Sequence, residues 1–304
     1  MPTSKAKQKL KPGISVVGSG RLGTALAIAL SKTGYCIDAL VARSLQGTRK
    51  AAILLDAPVR ELAFKRLSKL PSTGLVIIAT PDDQIERVAL KLARAKLREG
   101  ETRMALHTSG ALSSTVLSPL AERGWHVGSI HPLVAVSEPR SGAKALRGAF
   151  WCIEGDTDAL RMSRTIVADL KGQSFSLTAK QKPLYHAAAV MASGNMVALF
   201  DVALEMLGHC GLTPKEAQRV LLPLVESTVR NLFVSEPSRA LTGTFARGDL
   251  ATVRLHMEAL SSSGIRDALQ LYRLLGKRAV ALARKNGVEA GVLKEIARTL
   301  AKDS

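Results

Sequence analysis

The sequence predicts an α/β fold, in which a doubly wound Rossmann-type sheet is followed by an all-α C-terminal domain. Three observations support this prediction. A strand-like segment runs into a glycine-rich turn and then into an Ala- and Leu-rich helix over residues 14–31. Short apolar runs then alternate with helical segments, as is typical of a parallel doubly wound sheet. After Thr178 the strand signals stop, and only helical segments with short Gly, Pro and Ser breaks remain.

The glycine-rich turn is the most informative feature of the chain. The strand-like residues Ile14 to Val17 are followed by a G-x-G-x-x-G motif. In this context the first glycine permits a tight turn, the second lets a pyrophosphate approach the backbone, and the third allows close helix packing. Free amides at the start of the helix then bind phosphates. We therefore predict a dinucleotide site at Gly18, Ser19, Gly20, Arg21, Leu22 and Gly23. The alternative is an ordinary strand–helix turn that binds nothing.

The end of the second strand indicates which dinucleotide binds. This strand is predicted over residues 36–41, and it is followed by Ala42, Arg43 and Ser44. An NAD-type fold usually places an acidic residue here to bond the ribose 2′-hydroxyl, but Asp38 lies inside the strand. A guanidinium and a hydroxyl suit a 2′-phosphate, so we expect Arg43 and Ser44 to bind NADP(H). The alternative is that Arg43 is one basic residue among many.

The remaining strands are predicted from apolar runs. Residues 75–79 form a continuous apolar run of the kind that a strand buried on both faces requires. The pair Asp82 and Asp83 is expected to cap a helix over residues 84–97. Because ligands lie beyond the carboxyl ends of such strands, we expect Thr80, Pro81 and His107 beside the nicotinamide. Further strands are expected at residues 103–107, 125–130, 150–153 and 174–177.

Two consecutive strands end in a histidine. His107 is followed by Thr108, Ser109 and Gly110, and His131 is followed by a proline. Ser109, the Gly110 amide and His131 are expected to bind a substrate carboxylate or the nicotinamide amide. The alternative for each histidine is a structural hydrogen bond.

The predicted helical domain opens with the residues KPLYH at 182–186. Because proline is favoured at a first helical position, we predict a long helix from about Pro183 toward Leu207. Lys182, His186 and Ser193 would then share one face of an otherwise apolar helix. We expect Lys182 and His186 to be catalytic, and Ser193 to bind the substrate. The alternative is that this polar line meets solvent.

A glycine-bearing loop over residues 241–249 precedes a further helix, which is predicted to begin at about Leu250. Asp249 is the expected N-cap of that helix. Arg247, in the same loop, is a candidate clamp for a substrate carboxylate. We expect three segments: a basic tail over 1–12, an NADP-binding domain over 13–179, and a helical substrate and dimerisation domain over 180–304.

Composition limits the cellular setting. The chain has 304 residues and three cysteines without metal or redox spacing, so we expect buried thiols, a reducing cytosol and no metal. The longest apolar stretch, 187–200, is interrupted by polar residues, and the N-terminal lysines precede no signal-peptide segment. We expect a soluble cytoplasmic protein without membrane or nucleic-acid partners. An anionic cofactor and substrate account for part of the net charge of +18.

The motifs GSGRLG, HTSGALSS, SIHPL, KPLYHAAAVMASGN and LTGTFARGD together resemble the family of Rossmann-like proteins with a C-terminal DUF2520 domain. More distantly, the chain is similar to the 6-phosphogluconate dehydrogenase-like superfamily, which includes ketopantoate and pyrroline-5-carboxylate reductases. The resemblance implies NADPH, a small branched 2-oxo acid such as ketopantoate, and a homodimer formed through the helical domains. Common ketopantoate reductases carry an asparagine one turn after the lysine. Here His186 stands at that position, and the nearest asparagine, Asn195, is the candidate substrate ligand.

These observations favour an NADPH-dependent reductase that transfers hydride to a carbonyl carbon. An imidazole has a suitable intrinsic pKa for the proton donor, so His186 is the first candidate, and Lys182 is expected either to stabilise the oxyanion or to be the acid itself. The rival from another class is a non-enzymatic NADP(H)-binding redox sensor. An imine substrate, a deazaflavin partner and charge-driven nucleic-acid binding are also compatible with the sequence.

Overall fold

The computed structural model of the protein describes residues 11–95, 103–265 and 267–301. It divides the chain into two compact units, one ending at Ser193 and one beginning at Gly194. The expected functional division at 179/180 stays a prediction. The helix that follows it packs within the first unit, because the Lys182 side chain is buried against residues of the sheet. Most of the predicted basic tail lies outside the described residues.

The first unit contains an eight-stranded sheet with the order β3-β2-β1-β4-β5-β6-β7-β8. Strands β1 to β6 all run parallel to one another. Strand β7 runs antiparallel to β6, and β8 runs parallel to β7. This arrangement confirms the predicted fold class. The strands are β1 (Ile14–Val17), β2 (Ile37–Ala42), β3 (Arg60–Ala63), β4 (Leu75–Ile78), β5 (Met104–His107), β6 (His126–Pro132), β7 (Phe150–Gly155) and β8 (Gln173–Ser176).

Helices cover both faces of this sheet. Val16 and Ile77 belong to one apolar core and Val17 and Ile78 to the other, because successive side chains of a strand point to opposite faces. The central strands are therefore buried on both sides, as parallel strands require. The helices of this unit are α1 (Arg21–Ser31), α2 (Leu45–Ala52), α3 (Asp82–Ala93), α4 (Ser118–Ala121), α5 (Pro139–Ala145), α6 (Thr157–Asp169) and α7 (Lys182–Ala192). Three 3₁₀ segments lie at Phe64–Lys69, Ser114–Leu117 and Ala179–Gln181.

The reversal of β7 departs from the expected fully parallel sheet. A strand parallel to β6 would need a connection that carries the chain back to the amino end of β6. Such a crossover has about a dozen residues or more and is usually a helix. Here the intervening helix α5 has only seven residues and packs against α1 instead. The chain therefore re-enters the sheet at the carboxyl end of β6, where Cys152 lies opposite His131.

Two other predictions about the sheet are corrected. The short strand β3 was not predicted, because only one of its four residues is fully buried and no apolar run marks it. The helix α3 begins at Asp82, two residues earlier than predicted, with Pro81 at the N-cap position and no side-chain cap. The Asp82 carboxylate accepts a hydrogen bond from Ser109 instead. The helix ends at Ala93, with Arg94 at the C-cap position, four residues before the predicted end.

The long helix predicted from Pro183 toward Leu207 is interrupted. Ser193 has φ −124° and ψ −78°, outside the helical region, so α7 ends at Ala192 and a new helix begins at Gly194. The regular secondary structure of the second unit is entirely helical within its described residues, and loops join the helices. Its helices are α8 (Gly194–His209), α9 (Pro214–Val234), α10 (Pro237–Ala240), α11 (Leu250–Ser262), α12 (Ala268–Lys285) and α13 (Ala290–Ala301).

The apolar core of the second unit is formed mainly by α11, α12 and α13, through residues such as Val253, Val280 and Ile296. In contrast, α8 has no fully buried residue and α9 has only Ala217. Within the described residues, the stretch Ala179–His209 is long and apolar enough to cross a membrane by length and composition alone. The break at Ser193 falls inside that stretch.

The cysteine prediction is correct for one residue of three. Cys152 is buried, whereas Cys36 and Cys210 are exposed. Cys36 lies just before β2 and Cys210 just after α8, so neither side chain is enclosed by the elements that precede and follow it.

Candidate functional site

The glycine-rich turn has the shape that a dinucleotide site requires. Gly18 has φ +106°, and an added Cβ would lie 2.5 Å from the carbonyl oxygen of Ala79. A Cβ on Gly23 would lie 2.0 Å from the carbonyl oxygen of Gly18. A Cβ on Gly20, in contrast, would meet no atom within 4 Å. Two glycines therefore shape the turn itself, while the third lies beside open space.

The start of α1 presents unused backbone donors. Gly20 occupies the N-cap position without a side-chain cap, and the first turn holds no acidic residue. The amides of Gly18 and Ser19 donate to the Val41 carbonyl, but the described residues supply no backbone acceptor for the amides from Gly20 to Gly23. Such a helix terminus carries a partial positive charge and binds phosphates. The exposed side chain of Arg21 stands at the same turn.

Thr80 lies next to this turn. The Thr80 amide nitrogen would be 2.7 Å from a Cβ placed on Gly18, and the Thr80 hydroxyl is buried without a hydrogen-bond partner. A buried hydroxyl without a partner carries a free-energy penalty that a bound ligand can remove. The turn, the free amides and this hydroxyl together fit a bound dinucleotide.

Arg43 and Ser44 follow β2 directly. Both side chains are exposed, and within the described residues Arg43 forms no ion pair. The Ser44 hydroxyl accepts a hydrogen bond from the Gly47 amide and caps α2. The hydroxyl proton is still free to be donated. The roles of both residues in 2′-phosphate binding stay predictions.

His107 is committed to its own loop. Its Nε2 donates to the Ser113 carbonyl at 3.1 Å, and its Nδ1 accepts from the Ser109 amide at 3.2 Å. Burial, assisted by the charge of Lys182, lowers the pKa of His107 to about 3, so the ring is neutral. Both ring nitrogens are therefore used within the loop, which agrees with the structural alternative for this histidine. The place of His107 beside the nicotinamide stays a prediction.

The Ser109 hydroxyl is also fully used. It donates to Asp82 at 2.8 Å and accepts from the amides of Ala111 and Leu112. These three bonds use the one donor and the two acceptor positions of the hydroxyl, so a substrate would have to replace one of them. The role of Ser109 in substrate binding stays a prediction. The adjacent Gly110 amide is buried and has no acceptor within the described residues. Gly110 therefore remains a candidate ligand.

Lys182 is the most unusual side chain in the first unit. It is fully buried, and its Nζ donates to the Ser129 hydroxyl at 2.6 Å and to the Ser109 carbonyl at 3.2 Å. Burial lowers its pKa, while the nearby Cys152, Glu154 and Asp82 oppose that shift. A buried amine without a carboxylate bonded to it is costly for the fold. Such a cost is typical of functional positions.

The His131 ring contacts two aromatic side chains of α7, Tyr185 and His186. His131 Nδ1 is 2.7 Å from the Tyr185 hydroxyl, and the His131 ring meets the His186 ring edge-on at 5.6 Å. A Cβ on Gly110 would lie 2.5 Å from His186 Cδ2 and 2.9 Å from His131 Nε2. The two histidines and the Gly110 backbone are therefore in contact. Only glycine fits between them.

Burial determines the protonation of this cluster. Burial, followed by the charges of His186 and Lys182, lowers the pKa of His131 to about 4. Burial also raises the pKa values of the Tyr185 hydroxyl and the Cys152 thiol. Near neutral pH the imidazole of His131 is therefore uncharged, and the phenol and the thiol keep their protons.

Several residues of this cluster were missed in the sequence. Tyr185 directly precedes His186, and an aromatic residue in an apolar helix is typically a packing residue. Asp82 was interpreted as a helix cap. Ser129 and Cys152 lie inside the apolar strands β6 and β7. Their neighbours in the sequence give no sign that these two side chains lie close to α7.

The remaining predicted ligands lie elsewhere. Ser193 is exposed and outside the helix, so it does not share a helical face with Lys182 and His186 as predicted. Asn195 is exposed in the first turn of α8, and Arg247 is exposed in the loop before α11. Asp249 accepts a hydrogen bond from the Thr252 amide and caps α11, which confirms its predicted role. The substrate-binding roles of Asn195 and Arg247 stay predictions.

Comparisons with known proteins agree with this architecture. The chain matches the model of a Rossmann-like domain over residues 2–132 and that of the domain of unknown function DUF2520 over residues 149–279. A comparison with curated proteins finds no match.

Solved structures share the fold at low sequence identity. A protein from Thermotoga maritima is 24% identical, with 90% of this chain and 99% of that chain covered and a TM-score of 0.69. A protein from Bacteroides fragilis, described as a proposed NADP oxidoreductase, is 22% identical, with 90% and 98% covered and a TM-score of 0.71. The pyrroline carboxylate reductase of Plasmodium falciparum, solved with NADP bound, is 9% identical, with 96% and 99% covered and a TM-score of 0.57.

Proposed function

Because this chain is a Rossmann-like protein with a C-terminal DUF2520 domain, we propose that it is an NADP(H)-dependent oxidoreductase. The proposed reaction is reduction of a small anionic carbonyl compound, such as the 2-oxo acid ketopantoate. The observation that carries the proposal is the set of unused amides at the start of α1. These amides follow the carboxyl end of β1, at the same end of the parallel strands as the buried polar cluster that follows β5 and β6. The NADP-related proteins that share this fold support the choice of cofactor.

The turn at residues 18–23 would hold the diphosphate of the cofactor, and Arg43 with Ser44 would hold the 2′-phosphate. Bound NADPH supplies the hydride. Thr80 and Pro81, which follow β4, would border the nicotinamide, because ligands of such sheets lie beyond the carboxyl ends of the strands.

The polar cluster supplies a proton and stabilises charge. His186 is only partly buried and lies against the Gly110 backbone, so we assign proton donation to the substrate oxygen to His186. The Lys182 amine is enclosed, and we assign it to electrostatic stabilisation of the negative charge that develops on that oxygen. His131 and the Gly110 amide would orient the substrate.

An assay of NADPH oxidation with a panel of 2-oxo acids tests this function. Ketopantoate is the first substrate to use, and cyclic imines form a second panel. We expect steady turnover with at least one carboxylate-bearing carbonyl compound and none with its decarboxylated analogue. Tight NADPH binding without turnover on either panel would contradict the enzyme assignment and favour a redox sensor.

The cofactor preference gives a first variant prediction. Arg43→Ala should weaken NADPH binding by about 10- to 100-fold, which is the effect of losing one charge-assisted hydrogen bond or pair. NADH lacks the 2′-phosphate, so its affinity should stay within about twofold. Titration of both nucleotides by calorimetry measures the two values. Arg49→Ala is the matched control, because Arg49 pairs with Glu61 nearby. An equal loss for NADH and NADPH would refute the role of Arg43.

The second unit is proposed to form a homodimer through α8 and α9. These helices carry exposed large apolar residues on several sides but contribute almost nothing to the core of their own unit. An apolar helix surface of this size needs a partner. In a two-fold symmetric dimer, the apolar surface of α8 and α9 in one copy would pack against the same surface of the second copy. Protein rather than lipid would then cover α8, which accords with a cytoplasmic enzyme.

Leu224→Asp tests this interface, because Leu224 is 62% exposed on α9. We expect the wild type to be a dimer by light scattering and the variant to be a monomer, because an aspartate pair cannot be buried at a two-fold contact. Leu274→Asp is the control, since Leu274 is 67% exposed on α12 and should leave the dimer intact. A monomeric wild type that floats with lipid vesicles would overturn the proposal.

A further inference from the structure

The hydrogen-bonded pair of Tyr185 and His131 lies beside the proposed proton donor and was not anticipated in the sequence. His131 Nδ1 and the Tyr185 hydroxyl are 2.7 Å apart. His131 stands opposite Cys152 in the antiparallel pair of β6 and β7, so the sheet itself holds the imidazole in place.

The Tyr185 ring is fixed on a further side. Phe175 in β8 meets it edge-on, with ring centroids 5.8 Å apart. The His131 ring meets it nearly perpendicularly, at 5.6 Å and 86°. The phenol ring therefore lies between Phe175 of β8 and His131 of β6, and its hydroxyl has little freedom to rotate away from His131.

The direction of the hydrogen bond follows from the chemistry of the two groups. A neutral imidazole has one donor and one acceptor nitrogen, and His131 is neutral because burial lowers its pKa to about 4. Burial raises the pKa of the Tyr185 hydroxyl, so the phenol keeps its proton, and a phenol is a stronger acid than a neutral imidazole N–H. The consistent arrangement is therefore a phenol hydroxyl that donates to His131 Nδ1.

We infer that Tyr185 is a positioning residue that holds His131 as the tautomer with its proton on Nε2, facing Gly110 and His186. With Nδ1 occupied, Nε2–H is the one polar group that the ring can present. Nε2 lies on the side of Gly110, where an added Cβ would be 2.9 Å away. His131 then donates a hydrogen bond to the substrate oxygen or carboxylate while staying uncharged, and this last step rests on the proposed function.

Nitrogen NMR on histidine-labelled protein tests the tautomer directly. The chain has six histidines, and loss of one resonance pair in His131→Gln assigns the residue of interest. We expect the wild type to show a protonated Nε2 and an unprotonated, hydrogen-bonded Nδ1. In Tyr185→Phe the two tautomers should mix, so both nitrogen resonances of His131 should move toward each other. A wild type with the proton on Nδ1, or unchanged resonances in the variant, would overturn the inference.

The chain provides a matched control. His256 Nδ1 and the Tyr272 hydroxyl form the same pair at 2.8 Å, with ring centroids 5.6 Å apart, in the second unit. Tyr272→Phe should leave the His131 resonances unchanged, whereas a general effect of removing a tyrosine hydroxyl would shift them. If Tyr185→Phe fails to fold, the wild-type spectrum still decides. Cys152→Ala should leave the proton on Nε2, because the bond between Tyr185 and His131 does not involve the thiol.

Kinetics separate this inference from the proposed function. Tyr185→Phe should lower kcat about tenfold, the effect of one weakened hydrogen bond, with an unchanged Kd for NADPH. If no substrate is found, the proposed function fails, while the NMR result still supports or refutes the tautomer. If the tautomer is as stated and kcat does not change, the role of His131 toward the substrate is refuted.

Discussion

His186→Gln is expected to lower kcat by about 10²- to 10⁴-fold, because that range is typical for loss of a general acid. Glutamine keeps the length and the polarity of the side chain but has no titrating proton. The Kd for NADPH should be unchanged, since the proposed dinucleotide site lies at α1 and β2. Single-turnover measurements of NADPH oxidation give the chemical step directly. The thermal midpoint should move little, because His186 is only partly buried, and its contacts with His131 and the Gly110 backbone include no hydrogen bond within the described residues.

The control for this variant lies on strand β6. His126 is at the opposite end of β6 from His131, 3.3 Å from Asp156, so His126→Gln should keep full turnover. A similar loss in both variants would indicate a general effect on the sheet. A parallel loss of turnover and NADPH affinity in His186→Gln would assign His186 a structural role and return the proton donation to Lys182.

Gly20→Ala is expected to abolish tight NADPH binding while leaving the fold intact. Gly20 has φ −78°, which alanine adopts readily, and the added Cβ would meet no atom within 4 Å. In the complex, that methyl group would occupy the space that the diphosphate needs. Loss of one charge-assisted hydrogen bond alone weakens binding by about 10- to 100-fold. The change at the helix N-cap should lower Tm by no more than about 4 °C.

Gly18→Ala provides the contrast. Its φ of +106° is strained for alanine, and the Cβ would lie 2.5 Å from the carbonyl group of Ala79. This variant should lose about 2 kcal/mol or more of unfolding free energy together with its cofactor binding. Calorimetric binding and thermal unfolding of both variants check the pair of expectations. Normal NADPH affinity in Gly20→Ala would remove the diphosphate from this turn and refute the proposed site.

Features that local residues determine were predictable from the sequence. The turn at residues 18–23, the buried strand near residues 75–79 and the Asp249 cap each depend on neighbours within a few positions, and the structure confirms them. The break at Ser193 was not predictable in the same way, because apolar helical residues continue on both sides of it.

The polar cluster depends on contacts that are distant in sequence. Lys182 bonds Ser129 and Ser109, which precede it by 53 and 73 positions. The unexpected reversal of β7 also places Cys152 opposite His131. The sequence therefore indicated that the face of Lys182 and His186 was polar, but not which strands it meets, nor that Tyr185 takes part.

The commitment of His107 to its own loop has a consequence for the kinetics of the protein. With a pKa of about 3, this imidazole stays unprotonated throughout the range in which enzymes are usually assayed, and so does His131 with a pKa of about 4. Neither ring can therefore produce an inflection in a pH–rate profile near neutrality. Any such inflection reports the ionisation of a different group. The pH dependence of the rate therefore reports selectively on the other titratable residues around the reacting atoms.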